Sequence, residues 1–393
     1  MKNILVFCIS VITLHCLVGC TDVELCNITQ HPHAAPVSFS FNWGGKKDIP
    51  DSMYVIANRV INTRKYSMVV SSKTNGGHFV YNPDYAEADS VENRGNFALH
   101  TGYYRLLAFP HSNTDLVYIN VDSFMKDKKA ETKLSDLSIE YKTYKKGDQA
   151  LKCNLPKWDD YNPYADFIPS GIKPVVYDSI PNVDIDDIRS HTIIFAPRNL
   201  TQNIEINFNI NKDISKHGFV IDSVTAEISG IPRAINLANA YIDITRTAKM
   251  MFKMDLVDGT GRTITDKSDN KSLCAHANLD LTSIVRSASP SEKTGPGIMQ
   301  VILHARAVVN SGKPDEKIIK KNFQGKINLY NTLSTANLIE IVNNGKNARR
   351  RIDNAVLNVV TNLVIDGDRI VDTATNDDGI DRWVNCESII VDI

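Results

Sequence analysis

Of 393 residues, 42% are hydrophobic and 23% charged, with 44 basic against 45 acidic side chains. This balance excludes wholesale disorder, a multi-span membrane protein and nucleic-acid binding through a global basic field. Removal of the 19-residue export signal described next leaves 374 residues with a net charge of −2, enough for two or three domains at about 150 residues each.

Met1 to Cys20 carries one basic residue, Lys2, then an apolar stretch from Ile4 to Val18 broken by Ser10, Thr13 and His15, and ends Gly19-Cys20. The stretch is shorter than the ~18 residues of a spanning helix, so it reads as a secretion signal over residues 1–19. Leu17-Val18-Gly19-Cys20 resembles a bacterial lipobox, in which small residues admit the peptidase and the Cys20 thiolate accepts diacylglycerol. Cys20 then becomes the mature N-terminus, held on outer-membrane lipid by acyl chains worth about 0.8 kcal/mol per buried methylene. Residues 20–36 keep no sustained period of 2 or 3.6 and read as a flexible tether. His31 and His33 have no third ligand nearby, so no metal is expected there.

Beyond the tether the chain reads as short β segments between turn signals. Val37, Phe39, Phe41 and Trp43 alternate with Ser38, Ser40 and Asn42, the pattern of a half-buried strand. Thr101-Gly102 enters another strand, with Tyr104, Leu106 and Ala108 on one face and the glycine supplying a turn or bulge. Ile204, Ile206, Phe208 and Ile210 alternate strictly with Asn203, Glu205, Asn207 and Asn209, which no amphipathic helix would show. Strands are also expected over Phe219–Ile228, Tyr241–Thr245, Met250–Val257, Ile298–Val309, Phe323–Tyr330, Val356–Ile365 and Ser388–Ile393. Ser229-Gly230-Ile231-Pro232 is expected to end one of them, because proline cannot continue the ladder. Asn75-Gly76-Gly77, Asp258-Gly259, Asn310-Ser311-Gly312 and Asp366-Gly367 supply hairpin turns.

No stretch holds a helical period beyond about three turns, so helices should be few and the fold class all-β. Prolines 156, 163, 169, 174 and 181 accompany acidic runs and mark a boundary near residue 182. The expected architecture is two tandem β-sandwich domains, residues 37–182 and 183–393, behind the signal and tether.

Several segments resemble the fimbrillin-like surface lipoproteins of Bacteroidales, in a fimbrial anchor-like branch with a domain of unknown function. They are Phe41-Asn42-Trp43, Ile49 to Ile56, Thr101 to Phe109, Glu227 to Pro232 running on to Leu237, and Thr294 to His304, in the family's order behind the lipobox. The resemblance implies two β-sandwiches of fimbrillin-like type and a role in surface adhesion or fimbrial assembly, with fimbrial subunits or host or bacterial surface ligands as partners. It implies outer-membrane, cell-surface localisation. Five Asp-Ser/Thr sites, at Ser52, Ser90, Ser179, Ser223 and Thr373, also resemble the O-glycan acceptor pattern of exported proteins in that phylum.

No HExxH, GxSxG, Walker-type loop or GxGxxG opening a helix occurs, so neither catalysis nor a cofactor is expected. His276 and His304 read as ordinary strand histidines. The acidic loop from Asp366 to Asp381 lacks EF-hand spacing and reads as solvated turns. Of Cys26, Cys153, Cys274 and Cys386, none forms a CxxC pair; three disulfide pairings are open, and buried free thiols are the default. Arg349-Arg350-Arg351 reads as a solvated basic loop. Trp158, Tyr161, Tyr164 and Phe167 crowd one Pro- and Asp-rich segment and form the candidate ligand platform, with a wedge between domains as the other reading. Ile389, Ile390 and Val391 form the candidate strand-exchange segment, expected to pair within their own domain unless a partner is present. The function these features indicate is a lipid-anchored fimbrial anchor, accessory or tip component or adhesin; the alternative is a surface glycan-binding lipoprotein.

Overall fold

The computed structural model describes residues 34–61, 64–72, 77–81, 97–126, 131–151, 165–212, 219–258, 272–309, 316–342, 345–359, 363–366, 369–372 and 380–392. Cys20 and the other residues of the signal and tether up to 33 lie outside these. In chain order the strands begin with β1 (Ala34–Phe41), β2 (Ser52–Arg59), β3 (Lys65–Ser71), β4 (Gly77–Tyr81), β5 (Phe97–His100) and β6 (Gly102–Pro110). A middle group follows: β7 (Leu116–Ile119), helix α1 (Val121–Lys126), β8 (Ser138–Tyr141), β9 (Phe167–Ile168), β10 (Val176–Ile185), β11 (His191–Phe195) and β12 (Arg198–Asn199). The remainder opens with β13 (Gln202–Lys212), β14 (Val220–Asn236), β15 (Ile242–Val257), β16 (Ser272–Leu281), β17 (Ile298–Val309) and β18 (Lys317–Asn328). It closes with α2 (Tyr330–Ala336), β19 (Ile339–Val342), β20 (Asn347–Arg350), β21 (Asn354–Val359), β22 (Leu363–Asp366), β23 (Arg369–Asp372) and β24 (Ile380–Asp392). The fold is all-β.

β1 lies between β5, antiparallel to it, and β11, parallel to it. This small sheet covers a second one ordered β12-β10-β6-β2-β3-β4. Alternation explains the placement of β1: Val37 and Phe39 point into the shared core with Met53, Tyr66, Tyr104 and Phe195, while Ser38 turns outward to Thr192, 3.1 Å between hydroxyls. The Phe41 ring stacks on both Trp43 and Phe195 at 5.5 Å, and the Trp43 indole N–H donates to the Ser72 carbonyl. The second sheet is buried on both faces along β6. Tyr104, Leu106 and Ala108 face this core, whereas Leu107 and Phe109 join the core of the second sandwich.

The second sandwich is built on the path β23-β22-β13-β16-β15-β14-β17-β18-β24. The alternating residues of β13, Ile204 to Ile210, are all inaccessible, and they share one core with Val224 of β14, Val301 of β17 and Phe323 of β18. β15 links the two layers by changing partner, pairing with β14 up to Met254 and with β16 from Asp255.

Three expectations are corrected. Residue 182 does not separate the units: it lies inside β10, which pairs with β6, and β11 then returns to β1. Conversely β7 pairs with β8, and β8 and β9 pair with β14 and β15, so these three strands belong to the larger sheet. Ser229 to Pro232 does not end a strand, because β14 runs through it with register shifts on the β15 side. There Gly230 adopts φ +86°, and a Cβ would sit 2.7 Å from both the Gly297 nitrogen and the Val285 carbonyl. The carbonyl of Pro232 is satisfied by the Thr282 hydroxyl at 2.6 Å. Finally, Tyr241–Thr245 and Met250–Val257 are one strand rather than two.

Candidate functional surface

The predicted aromatic platform divides. Trp158, Tyr161 and Tyr164 lie outside the described residues, but Phe167 is 1% exposed, packed with Leu151, Met251 and Ile302, and presents nothing to a ligand. The reason is local: β9 is a short strand laid parallel on Lys249–Met250 of β15, which turns the Phe167 ring into the interface. The C-terminal segment is paired. Ile389, Ile390 and Val391 stand opposite Lys320, Ile319 and Ile318, and β24 is the outermost strand on its side of the sheet among the described residues.

Charges gather where the middle segment meets the larger sheet. Arg233 of β14 bridges Glu140 of β8 at 2.8 Å and Asp166 at 2.6 Å; Lys145 reaches Asp166 at 2.7 Å, and Arg246 reaches Glu140 at 3.2 Å. Glu140 is buried, and its carboxyl oxygens are met by two arginines, Arg233 and Arg246. This network fastens β8 and Asp166 to β14 and β15 and accounts for its charges without a ligand.

His304 accepts or donates between Thr225 and Asn322, each at 2.9 Å, and His276 lies 3.5 Å from Glu205, so both are strand-face histidines. Arg349 and Arg350 are not in a solvated loop: they lie on β20, where Arg350 donates to the Thr201 carbonyl and Arg349 lies over the Tyr241 ring. Cys274 is a free, half-buried thiol whose burial raises its pKa; Cys26 and Cys153 lie outside the described residues. Asp186, Asp187 and His191 bring ligand atoms within 4.8 Å of one another, yet Asp187 is already engaged by the Arg189 backbone and guanidinium, which hold its carboxyl below the usual range. The acidic loop falls largely outside the described residues. Ser223, an acceptor-pattern serine, is exposed beside a register shift between β14 and β17.

Sequence reasoning missed a cleft of about 710 Å³ where three loops meet between the sandwiches. One wall is residues 48–52, the second residues 112–116, and the third Gly171, Lys173 and Pro174. Its polar groups include the carboxylates of Asp48, Asp51 and Asp115, the Asn113 amide and the Lys173 ammonium; Ile49, Pro50, Pro110 and Pro174 supply aliphatic surface. Backbone bonds fix the loops: Ser72 N–H to Asp51 O at 3.0 Å, His111 N–H to Ser52 O at 3.0 Å and Lys142 N–H to Asp115 O at 2.9 Å. The Asn113 side chain accepts from the Asp115 N–H at 2.8 Å, and the Tyr118 hydroxyl donates to the Pro110 carbonyl at 2.5 Å. Asp48 also acts on Asp280 of β16, whose pKa is raised, first by burial and then by this like charge. No sequence period marks the cleft, since its walls are more than fifty residues apart in the chain.

No protein-family model matches the chain, and no curated protein matches it. Solved structures do. One is a candidate adhesin from Bacteroides ovatus, 9% identical, with 88% of this chain and 96% of that one covered at a TM-score of 0.41. Another is a candidate polysaccharide-binding protein from Bacteroides thetaiotaomicron, 11% identical over 84% and 90% of the two chains, at 0.40. A third is the fimbrial anchor protein Mfa2 from Porphyromonas gingivalis, 10% identical over 91% and 97%, at 0.38. No helix among the described residues is long and apolar enough to cross a membrane.

Proposed function

We propose that this protein is a non-enzymatic cell-surface component, anchored in the outer membrane through acylated Cys20, that serves as a fimbrial anchor, accessory or tip component or as an adhesin. The observation that carries this reading is the position of β1. Ala34–Phe41, the first described strand after the proposed anchor and tether, is an interior strand paired on both sides, which supports an attachment that leads straight into a core. Cys20→Ser is expected to abolish detergent-phase partitioning and release the protein, and deletion of the gene is expected to leave fimbriae missing or detached. Partitioning that survives the substitution, or normal fimbriae after deletion, overturns the respective half of the proposal.

The second reading, a surface glycan-binding lipoprotein, is favoured by the cleft between the sandwiches. Trp158, Tyr161 and Tyr164 remain proposed ligand contacts in that reading, without Phe167. Ile389 to Val391 are proposed to stay on β18 in the monomer and to exchange only if a partner strand competes for that edge.

A further inference from the structure

We infer that the cleft between residues 48–52, 112–116 and 171–174 is a carbohydrate site, and that it takes neutral or amino-sugar oligosaccharides while rejecting anionic ones. The inference rests on the protein's standing at the cell surface but not on any part in fimbriae.

Three observations carry it. The first is size and shape: about 710 Å³ between preformed walls suits a ligand of a few sugar rings. The rims are held by backbone hydrogen bonds and by the Asn113 and Tyr118 side chains, so little ordering remains to be done on binding.

The second is the chemistry of the lining. Sugar hydroxyls need acceptors with lone pairs to spare, and the Asp48 and Asp115 carboxylates make no hydrogen bond or ion pair with the described residues. The C–H faces of sugar rings need flat aliphatic surface, which Ile49 and three prolines provide.

The third is how the carboxylates are spaced. The only group of carboxylate and histidine ligand atoms drawn together tightly enough for a cation, among the described residues, is the one at Asp186, Asp187 and His191. Asp48, Asp51 and Asp115 line the cleft without forming such a group, so the lining is not that of a cation site. Even with Asp51 set aside, the Asp48 and Asp115 carboxylates outnumber the one ammonium of the lining, Lys173, and the excess repels sulfate, sialic acid and uronate while favouring a glucosamine ammonium.

The test uses the full chain in detergent on a printed array of neutral oligosaccharides, oligoglucosamines, and sialylated or sulfated oligosaccharides. Signals are expected only in the first two groups. Asp115→Ala should weaken the strongest of them about tenfold, the loss of one charge-assisted hydrogen bond. Ser112→Trp, which fills the cleft from an exposed position, should abolish it with the thermal unfolding midpoint unchanged. An empty array, signals on anionic glycans, or signals that survive both substitutions overturn the inference. Loss on Trp158→Ala with Asp115→Ala silent also overturns it, by moving the ligand to the aromatic segment. Fimbrial assembly in deleted cells is read separately and tests only the other proposal.

Discussion

The two terminal strands of the described chain are placed in opposite ways. β1 has a partner on each side and sends Val37 and Phe39 into a core, whereas β24 has one partner among the described residues, β18, and lies at the far side of the larger sheet. Both are apolar strands near a chain end, so composition does not separate them. What separates them is closure: β1 recruits β11 from more than 150 residues later, and nothing among the described residues does this for β24. The first end is therefore a structural member, and the second an edge that stays monomeric only while its outer ladder is left alone.

The comparison breaks most sharply at Phe39. Phe39→Ala should cost about 3–5 kcal/mol, the loss of a buried aromatic between two sheets, visible as a lower denaturant midpoint. If interior position is what matters, a comparable loss should follow from disturbing an interior strand of the other sandwich. Gly230→Ala in β14 forces a positive φ on alanine and a Cβ against backbone atoms that cannot yield, and is expected to cost about 3 kcal/mol in the same assay.

Whether the two sandwiches fail together is read at Glu140. Glu140→Ala leaves Arg233 with only Asp166 and should cost about 2 kcal/mol, less than for a fully buried pair because Arg233 keeps one partner and some solvent. Limited proteolysis of this variant should cut first between 138 and 168. Truncation after Ser388 should cost only about 1–2 kcal/mol but produce oligomers in light scattering, because it uncovers the edge of β18. In the intact monomer, hydrogen exchange should show the paired amides of Ile389 to Val391 protected.

The smallest effect concerns pH. Asp280 has its pKa raised in the fold, so the folded state holds its proton to higher pH than the unfolded chain, and stability falls as pH rises through the interval between the two values. Asp280→Asn should flatten that fall and raise the midpoint slightly at neutral pH.

Strands with uninterrupted patterns were legible in the sequence. Ile204 to Ile210 in β13 alternate because one face is buried and the other carries Asn207 across to Asn358, and Ile298–Val309 matches β17 to the residue. Exceptions arise where a side chain elsewhere repairs what looks like a break. Gly230-Ile231-Pro232 reads as a stop, but Thr282 supplies a donor, and the Ser229 hydroxyl ties the neighbouring loop by donating to the Gly295 carbonyl at 2.7 Å. Thr245, Arg246 and Thr247 are exposed in mid-strand and split β15 on paper. Pro181 and the acidic residues around it look like a linker, yet β10 tolerates them through an irregularity between Ile180 and Val183. Phe167 shows the limit for sites: clustering of aromatics is visible in sequence, but which of them faces a core depends on a two-residue strand against β15.

The pairing of β1 has a mechanical consequence. Tension entering the fold at Ala34 and directed along the strand loads its ladders to β5 and β11 in shear. Their hydrogen bonds must then yield together, rather than opening one after another as they would in a peeled hairpin. A body tethered by its N-terminus in moving fluid would thus meet the drag at its most resistant attachment, while the same pull applied to β24 across its direction would unzip that strand from β18 pair by pair.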